Sequence, residues 1–167
     1  GRKKYDIMNR GHDGFTIHGV KRILEKECIL KRPDVVSILI GCNDVGVMMN
    51  TGKSLEEQQF EACYEAIVKE ITEQSDAKLI CMSPFIVPYP RMYENWIQGI
   101  KQTERIEKKI AEKYHADFLA LQDMIILKTE KVGYESVTTD GIHLTEYGNE
   151  IIAGAWLQLF EKIKDGD

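Results

Sequence analysis

Asp140 and His143 lie three residues apart near the end of a chain of 167 residues. A carboxylate that holds one imidazole nitrogen leaves the other free to take a proton, which is the base half of a Ser-His-Asp hydrolytic system. The pair stands just ahead of an apolar series, Ile151, Ile152, Ala155, Trp156, Leu159, Phe160 and Ile163, at helical spacing. Thr145 is placed to cap that helix, with Glu146 in its first turn where negative charge suits the helix dipole. The competing reading is a helix cap next to a surface histidine. Two further stretches could supply the rest of a site. Asn43 follows Gly41 at the end of an apolar run, where its side-chain amide could donate to a developing oxyanion or merely close an Asx turn. Gly11, between Arg10 and His12, could bring a bare backbone N–H close to a ligand or simply serve a turn.

The elements that must hold these residues alternate in type. Lys4 to Asn9 reads as a short strand, followed by a turn over Arg10–Gly14. Phe15, Ile17, Val20, Ile23 and Leu24 mark a helix ending before Pro33. Asp34 to Ile40 is a compact apolar strand of the kind buried on both faces of a parallel sheet. Val45 to Lys53 reads as a loop. Ser54 and Glu57 have capping-box form and open a helix with Phe60, Cys63, Tyr64, Ile67, Val68 and Ile71 on one face. A strand over Lys78–Ser83, a loop from Phe85 to Trp96, a long helix from Ile97 to about Tyr114 and a strand over Asp117–Leu121 follow. A polar segment, Lys128 to Thr139, leads to the Asp-His turn. Strands alternating with helices, without repeats or a linker, predict a single α/β domain over 1–167 with a parallel sheet. In such sheets sites form beyond the carboxyl ends of the strands, so the three stretches can converge.

Composition excludes several classes. The net charge is -5 and no basic cluster occurs, which argues against nucleic acid. No apolar run approaches the ~18 residues of a membrane span. The four cysteines lack metal-like spacing, and free thiols in a reducing, cytoplasmic setting fit them. His12, His18 and His115 read as surface or turn residues, and Asp44 as a residue that orients its loop. The Lys101–Lys113 charge run reads as the wet face of a helix with i,i+4 pairs.

Asn9-Arg10-Gly11-His12-Asp13-Gly14, Ile40-Gly41-Cys42-Asn43-Asp44 and Asp140-Gly141-Ile142-His143, in this order, resemble three blocks of the SGNH (GDSL-type) hydrolases. The resemblance implies a flavodoxin-like three-layer α/β/α sandwich and hydrolysis of a small-molecule ester through an acyl-enzyme. It makes His143 the general base, Asp140 its orienting partner, and Asn43 and the Gly11 N–H oxyanion donors, with no metal or cofactor. The family's nucleophile is the serine of a Gly-Asp-Ser block on a first strand. Ser37, Ser54, Ser75, Ser83 and Ser136 all lie outside such a context. The expectation is therefore a domain whose first strand and nucleophile lie upstream of Gly1. A non-catalytic binding or scaffold domain of the same fold is the alternative, and an unrelated flavodoxin-like binding domain a third. Tyr89, Met92 and Tyr93, with Met48 and Met49, would wall an acyl or alcohol pocket, or else pack under the sheet or between copies in a homo-oligomer.

Overall fold

The computed structural model describes residues 5–165, the side chain of Asp165 excepted. Three strands, β1 (Val35–Leu39), β2 (Lys78–Met82) and β3 (Asp117–Leu119), form a wholly parallel sheet in the order β1-β2-β3. Parallel neighbours need crossovers. Here α2 (Cys42–Thr51) and α3 (Phe60–Gln74) join β1 to β2, and α4 (Ile97–Lys113) joins β2 to β3. Before β1 lies α1 (Ile17–Glu27). After β3 come α5 (Gln122–Val132), the single turn α6 (Tyr134–Val137) and α7 (Glu146–Asp165).

Period-two alternation along the strands separates two cores. Ile38, Leu79 and Cys81 face one side and pack with Ile17 and Leu24 of α1, Phe60, Tyr64, Ile67, Val68 and Ile71 of α3, and Ile110 and Ala111 of α4. Met82 and Leu119 face the other side, with Phe85, Val87, Leu121, Ile125, Val137 and Ile152. Burying each large side chain stabilises by ~1.5–3 kcal/mol, so the α3 stripe alone holds its helix on the sheet. The fold is the expected α/β sandwich with a parallel sheet.

Several local expectations are corrected. Lys4 lies outside the described residues, and residues 5–10 form no strand. A strand needs a ladder partner, and β1 pairs only with β2 among the described residues. Ile7 is accordingly 87% exposed, while Tyr5 sets its ring edge-on to Phe160 of α7. β1 is buried on one face only: Ser37 and Leu39 are exposed, and Trp156 of α7 reaches across to donate to Ser37 Oγ at 2.7 Å. The stretch 45–51 belongs to α2 rather than a loop, because Val45 and Gly46 pack inward and Gly99 and Trp96 approach them. The Ser54–Glu57 box forms, with reciprocal bonds of 2.7 and 3.1 Å, but closes a separate turn. Gln59, at φ 57°, then breaks the path before α3 begins at Phe60. The strand expected to run to Leu121 stops at Leu119, and α5 and α6 occupy most of the segment expected to be irregular.

The charge run of α4 is also not simply a wet face. Lys101 pairs with Glu104 at i,i+3, and Lys109 and Lys113 reach Glu61 and Glu65 on α3. Glu107 is fully buried, and neither of its carboxyl oxygens has a hydrogen-bond partner among the described residues. Burial pushes its carboxyl well above the ordinary range, with the charges of Asp44 and Glu104 acting in the same direction. Such a group holds its proton more tightly in the folded chain than in the unfolded one. Its contribution is fully present below the unfolded pKa and is lost as pH rises through the folded value. Glu107→Leu is expected to raise the urea unfolding free energy by ~1–3 kcal/mol, the cost of an unsatisfied buried polar group. The gain should be larger at pH 8 than at pH 5. Equal or reversed effects at the two pH values would mean that Glu107 is paired or ionised in solution.

Candidate active site

Gly41 makes the turn from β1 into α2. It has φ 113°, and a Cβ there would sit 2.9 Å from Thr103 Cγ2 and 3.1 Å from Pro84 Cγ. Only glycine suits both the left-handed backbone and the crowding. The turn places Cys42, Asn43 and Asp44 in the first turn of α2, at the carboxyl edge of the sheet. Asn43 is exposed, and its Nδ2 donates to the Phe15 carbonyl at 2.9 Å. An amide nitrogen carries two N–H bonds, so this contact uses one of them. Asp44 is completely buried, and its two oxygens accept the first N–H of α1, from Ile17, at 3.0 and 3.2 Å. Burial raises its carboxyl to about 6 against those bonds. Asp44 thus anchors α1 beside the Asn43 turn, from within α2 rather than from a loop.

The second half of the site is a tight turn closed at its base. Thr138 and Leu144 form an antiparallel bridge, and the Thr139 N–H donates to His143 O at 2.8 Å. Thr145 caps α7, its Oγ1 accepting the Gly148 N–H at 3.0 Å and donating to Ser136 O at 2.6 Å. Within the turn, Asp140 Oδ1 accepts the N–H groups of Ile142 and His143 at 2.9 and 2.8 Å. Its Oδ2 lies 2.7 Å from His143 Nδ1. The backbone N–H of His143, with the imidazole and the Ile142 N–H, holds the Asp140 carboxyl down at about 2. That carboxylate raises the His143 imidazole above its usual value, helped by the charge of Asp13. With Nδ1–H donated to Asp140, Nε2 is the acceptor, on a side chain 70% exposed.

Gly141 sits between the two residues at φ 94°, and a Cβ there would meet the Tyr89 and Val87 carbonyls at 2.5 and 2.7 Å. It was visible in the sequence only as a spacer. Thr138, whose Oγ1 accepts the Gly141 N–H at 3.1 Å, carried no signal at all.

The two halves are neighbours. Ile142 packs in one cluster with Cys42, Val45, Met48, Tyr93 and Trp96. The Cys42 thiol is pushed up to about 11 by burial and by the charges of Asp44 and Asp140. At neutral pH only ~10⁻⁴ of such a thiol is ionised, so Cys42 is no ready nucleophile. Gly11 stands apart in detail, since its N–H is taken by Asn9 Oδ1 at 2.9 Å. Every serine hydroxyl is engaged away from His143. Ser37 accepts from Trp156, and Ser54 caps its turn. Ser75 and Ser136 bond backward to Ile71 and Val132, and Ser83 joins Glu104 and the Leu121 N–H. The Phe85–Trp96 loop has two sides. Val87, Pro88 and Tyr89 line a shallow cavity of about 350 Å³ with Ile126, Thr129 and Tyr134. Tyr93 and Trp96 pack with Met48 on the other side, while Met49 is exposed, so neither methionine walls that cavity.

Residues 1–151 match the GDSL-like lipase/acylhydrolase family, and the chain belongs to it. An acetylxylan esterase from Geobacillus stearothermophilus is 28% identical over 157 residues, which are 91% of this chain and 70% of that protein. An isoamyl acetate-hydrolyzing esterase 1 homolog from Bos taurus is 25% identical, covering 96% of this chain and 70% of the relative. A catalytic mutant of the Geobacillus stearothermophilus acetylxylan esterase superposes with a TM-score of 0.75 at 25% identity, covering 87% of this chain and 67% of that one. These relatives are esterases, and they support a hydrolase. Among the described residues, no helix is long and apolar enough to cross a membrane.

Proposed function

We propose that the protein hydrolyses small esters by a Ser-His-Asp acyl-enzyme mechanism. The observation that carries this is the 2.7 Å contact between His143 Nδ1 and Asp140 Oδ2, on a histidine side chain that is otherwise well exposed. In that mechanism His143 takes the proton of a serine hydroxyl as the serine attacks the ester carbonyl. Asp140 stabilises the imidazolium that forms, and His143 then returns the proton to the leaving alcohol. Water repeats the cycle to release the acid. Asn43 donates to the oxyanion through its amide. The Gly11 N–H serves as a second donor once Asn9 Oδ1 releases it. The substrate class is an acetyl or other short acyl ester of a carbohydrate or small alcohol, in line with what the relatives are named for.

The serine is assigned to a segment upstream of Gly1, a strand that lies along the open edge of β1 and ends in Gly-Asp-Ser. Among the described residues β1 pairs with β2 alone, and this, with the exposure of Leu39, supports a further strand there. A non-catalytic domain is the second reading, favoured by one observation: all five serine hydroxyls of the chain have partners other than His143. The full gene product separates the two. It is expected to contain the Gly-Asp-Ser block, to turn over p-nitrophenyl acetate and to be labelled by a fluorophosphonate probe. Residues 1–167 alone should do neither. An initiator methionine immediately before Gly1, or robust labelling of 1–167, would sink the upstream-serine assignment.

A further inference from the structure

The Asp140–His143 turn rests on the backbone of the loop that leaves β2. The Val87 N–H donates to Gly141 O at 2.8 Å, and Gly141 admits no Cβ against the Val87 and Tyr89 carbonyls. One residue earlier the loop is gripped by a side chain. Gln122 Oε1 accepts the Ile86 N–H at 2.8 Å, and Gln122 Nε2 donates to Ile86 O at 3.0 Å. Gln122 is 1% exposed and Ile86 is fully buried. A planar amide that satisfies both backbone groups of one residue fixes its orientation as well as its position. The Ile86 side chain then packs on Val45 of α2, in the cluster that also holds Ile142. Ile86 therefore shares one apolar cluster with the helix that carries Asn43 and the turn that carries His143.

We infer that Gln122 is a positioning residue for the hydrolase: through Ile86 and Val87 it sets the seat of Gly141, and so the alignment of Asp140 with His143. This rests on the proposed hydrolase reading. It goes beyond polar satisfaction of the core, because the residue clamped is the one whose neighbour holds the catalytic turn. Gln122 stands at the start of α5, fixed there by Leu121 and Ile125, both fully buried. The clamp therefore has a rigid base.

The test compares three variants of the full gene product. Gln122→Met removes both bonds at similar volume. Gln122→Glu keeps the size and the acceptor, but once ionised has no N–H for Ile86 O. Ile71→Ala is a control that empties the core on the other face of the sheet, which holds none of Gln122, Ile86 or Val87. Small misplacements of catalytic groups cost up to ~100-fold. Gln122→Met is thus expected to lower kcat by about 10- to 100-fold with KM changed less than about twofold. His143, titrated by NMR, should move back toward the ordinary imidazole range as its contact with Asp140 loosens. Ile71→Ala should lower the melting temperature and leave the His143 titration as in the parent. A parent-like His143 titration in Gln122→Met would overturn the inference, as would an equal shift in Ile71→Ala. If Gln122→Met does not fold, the same comparison is read from Gln122→Glu. Should the parent lack esterase activity, the hydrolase reading fails, while the titration still decides whether Gln122 sets the Asp140–His143 contact.

Discussion

Replacing His143 by Ala in the full gene product is expected to reduce kcat for p-nitrophenyl acetate by ~10⁴- to 10⁶-fold, leaving a residue of turnover above water. The size of the loss follows from the work the imidazole does. It accepts the proton of the attacking hydroxyl and later protonates the leaving alcohol, so its removal disables both steps. The pH profile provides an independent check. Only neutral His143 acts as a base, and Asp140 raises its pKa. The parent's kcat/KM should therefore rise with pH through an inflection above ~6.5, the ordinary imidazole value. Asp140→Asn should move that inflection down and, by favouring the wrong tautomer, lower kcat by ~10⁴-fold. The same pair links stability to pH with opposite signs. The raised His143 contributes stability that is complete below its unfolded pKa and lost as pH rises through the folded one. The depressed Asp140 contributes stability present above its unfolded pKa and lost as pH falls toward about 2. Both side chains are well exposed, so solvent screening keeps these contributions small and activity is the better readout. A folded His143→Ala protein with parent-like turnover would end the Ser-His-Asp assignment.

What could be read in the chain beforehand was what is settled locally. The Asp140–His143 contact spans three residues, and the Thr145 cap of α7 is a side chain bonding its own helix. The strands at Val35 and Lys78 and the stripe of α3 are periodic patterns that tertiary packing reinforces. What was misread depends on partners distant in sequence. The KYDIMN stretch has strand composition, but among the described residues, residues 5–10 have no strand with which to pair. The helix α2 is held by Val45 against Ile86 and Ile100, contacts invisible in a run of Gly, Val, Met and Asn. Met124 to Leu127 is a continuous apolar run without period, so α5 gave no helical signature. Glu107 lies in a charged stretch where polarity implies exposure, yet α4 turns it inward toward Gly41. Gln122 is ordinary in sequence, and only the fold brings its amide to Ile86.

Asn43→Ala in the full gene product should lower kcat by ~10²–10³-fold, about 2.7–4 kcal/mol of transition-state stabilisation, with little change in KM. The split is expected because a donor aimed at the oxyanion acts mainly once charge has built up on the oxygen. Asn43 is well placed for this: Gly41 turns the chain out of β1, so the amide stands at the exposed head of α2, where helix N–H groups also favour negative charge. One of its N–H bonds is committed to the Phe15 carbonyl at 2.9 Å, which leaves the other for the substrate. That tie gives Asn43 a structural role as well, and its loss should cost only ~0.5–1.5 kcal/mol in urea unfolding, too little to explain the fall in kcat. Asn43→Asp should be at least as damaging, because a carboxylate repels the oxyanion and cannot donate to Phe15 O. Measuring kcat, KM and unfolding free energy on the same preparations separates the two roles. A drop in stability with near-normal kcat would reduce Asn43 to a strut between α2 and the Phe15 backbone. A drop in kcat far beyond the stability loss, with KM held, is the signature of a donor that works in the transition state.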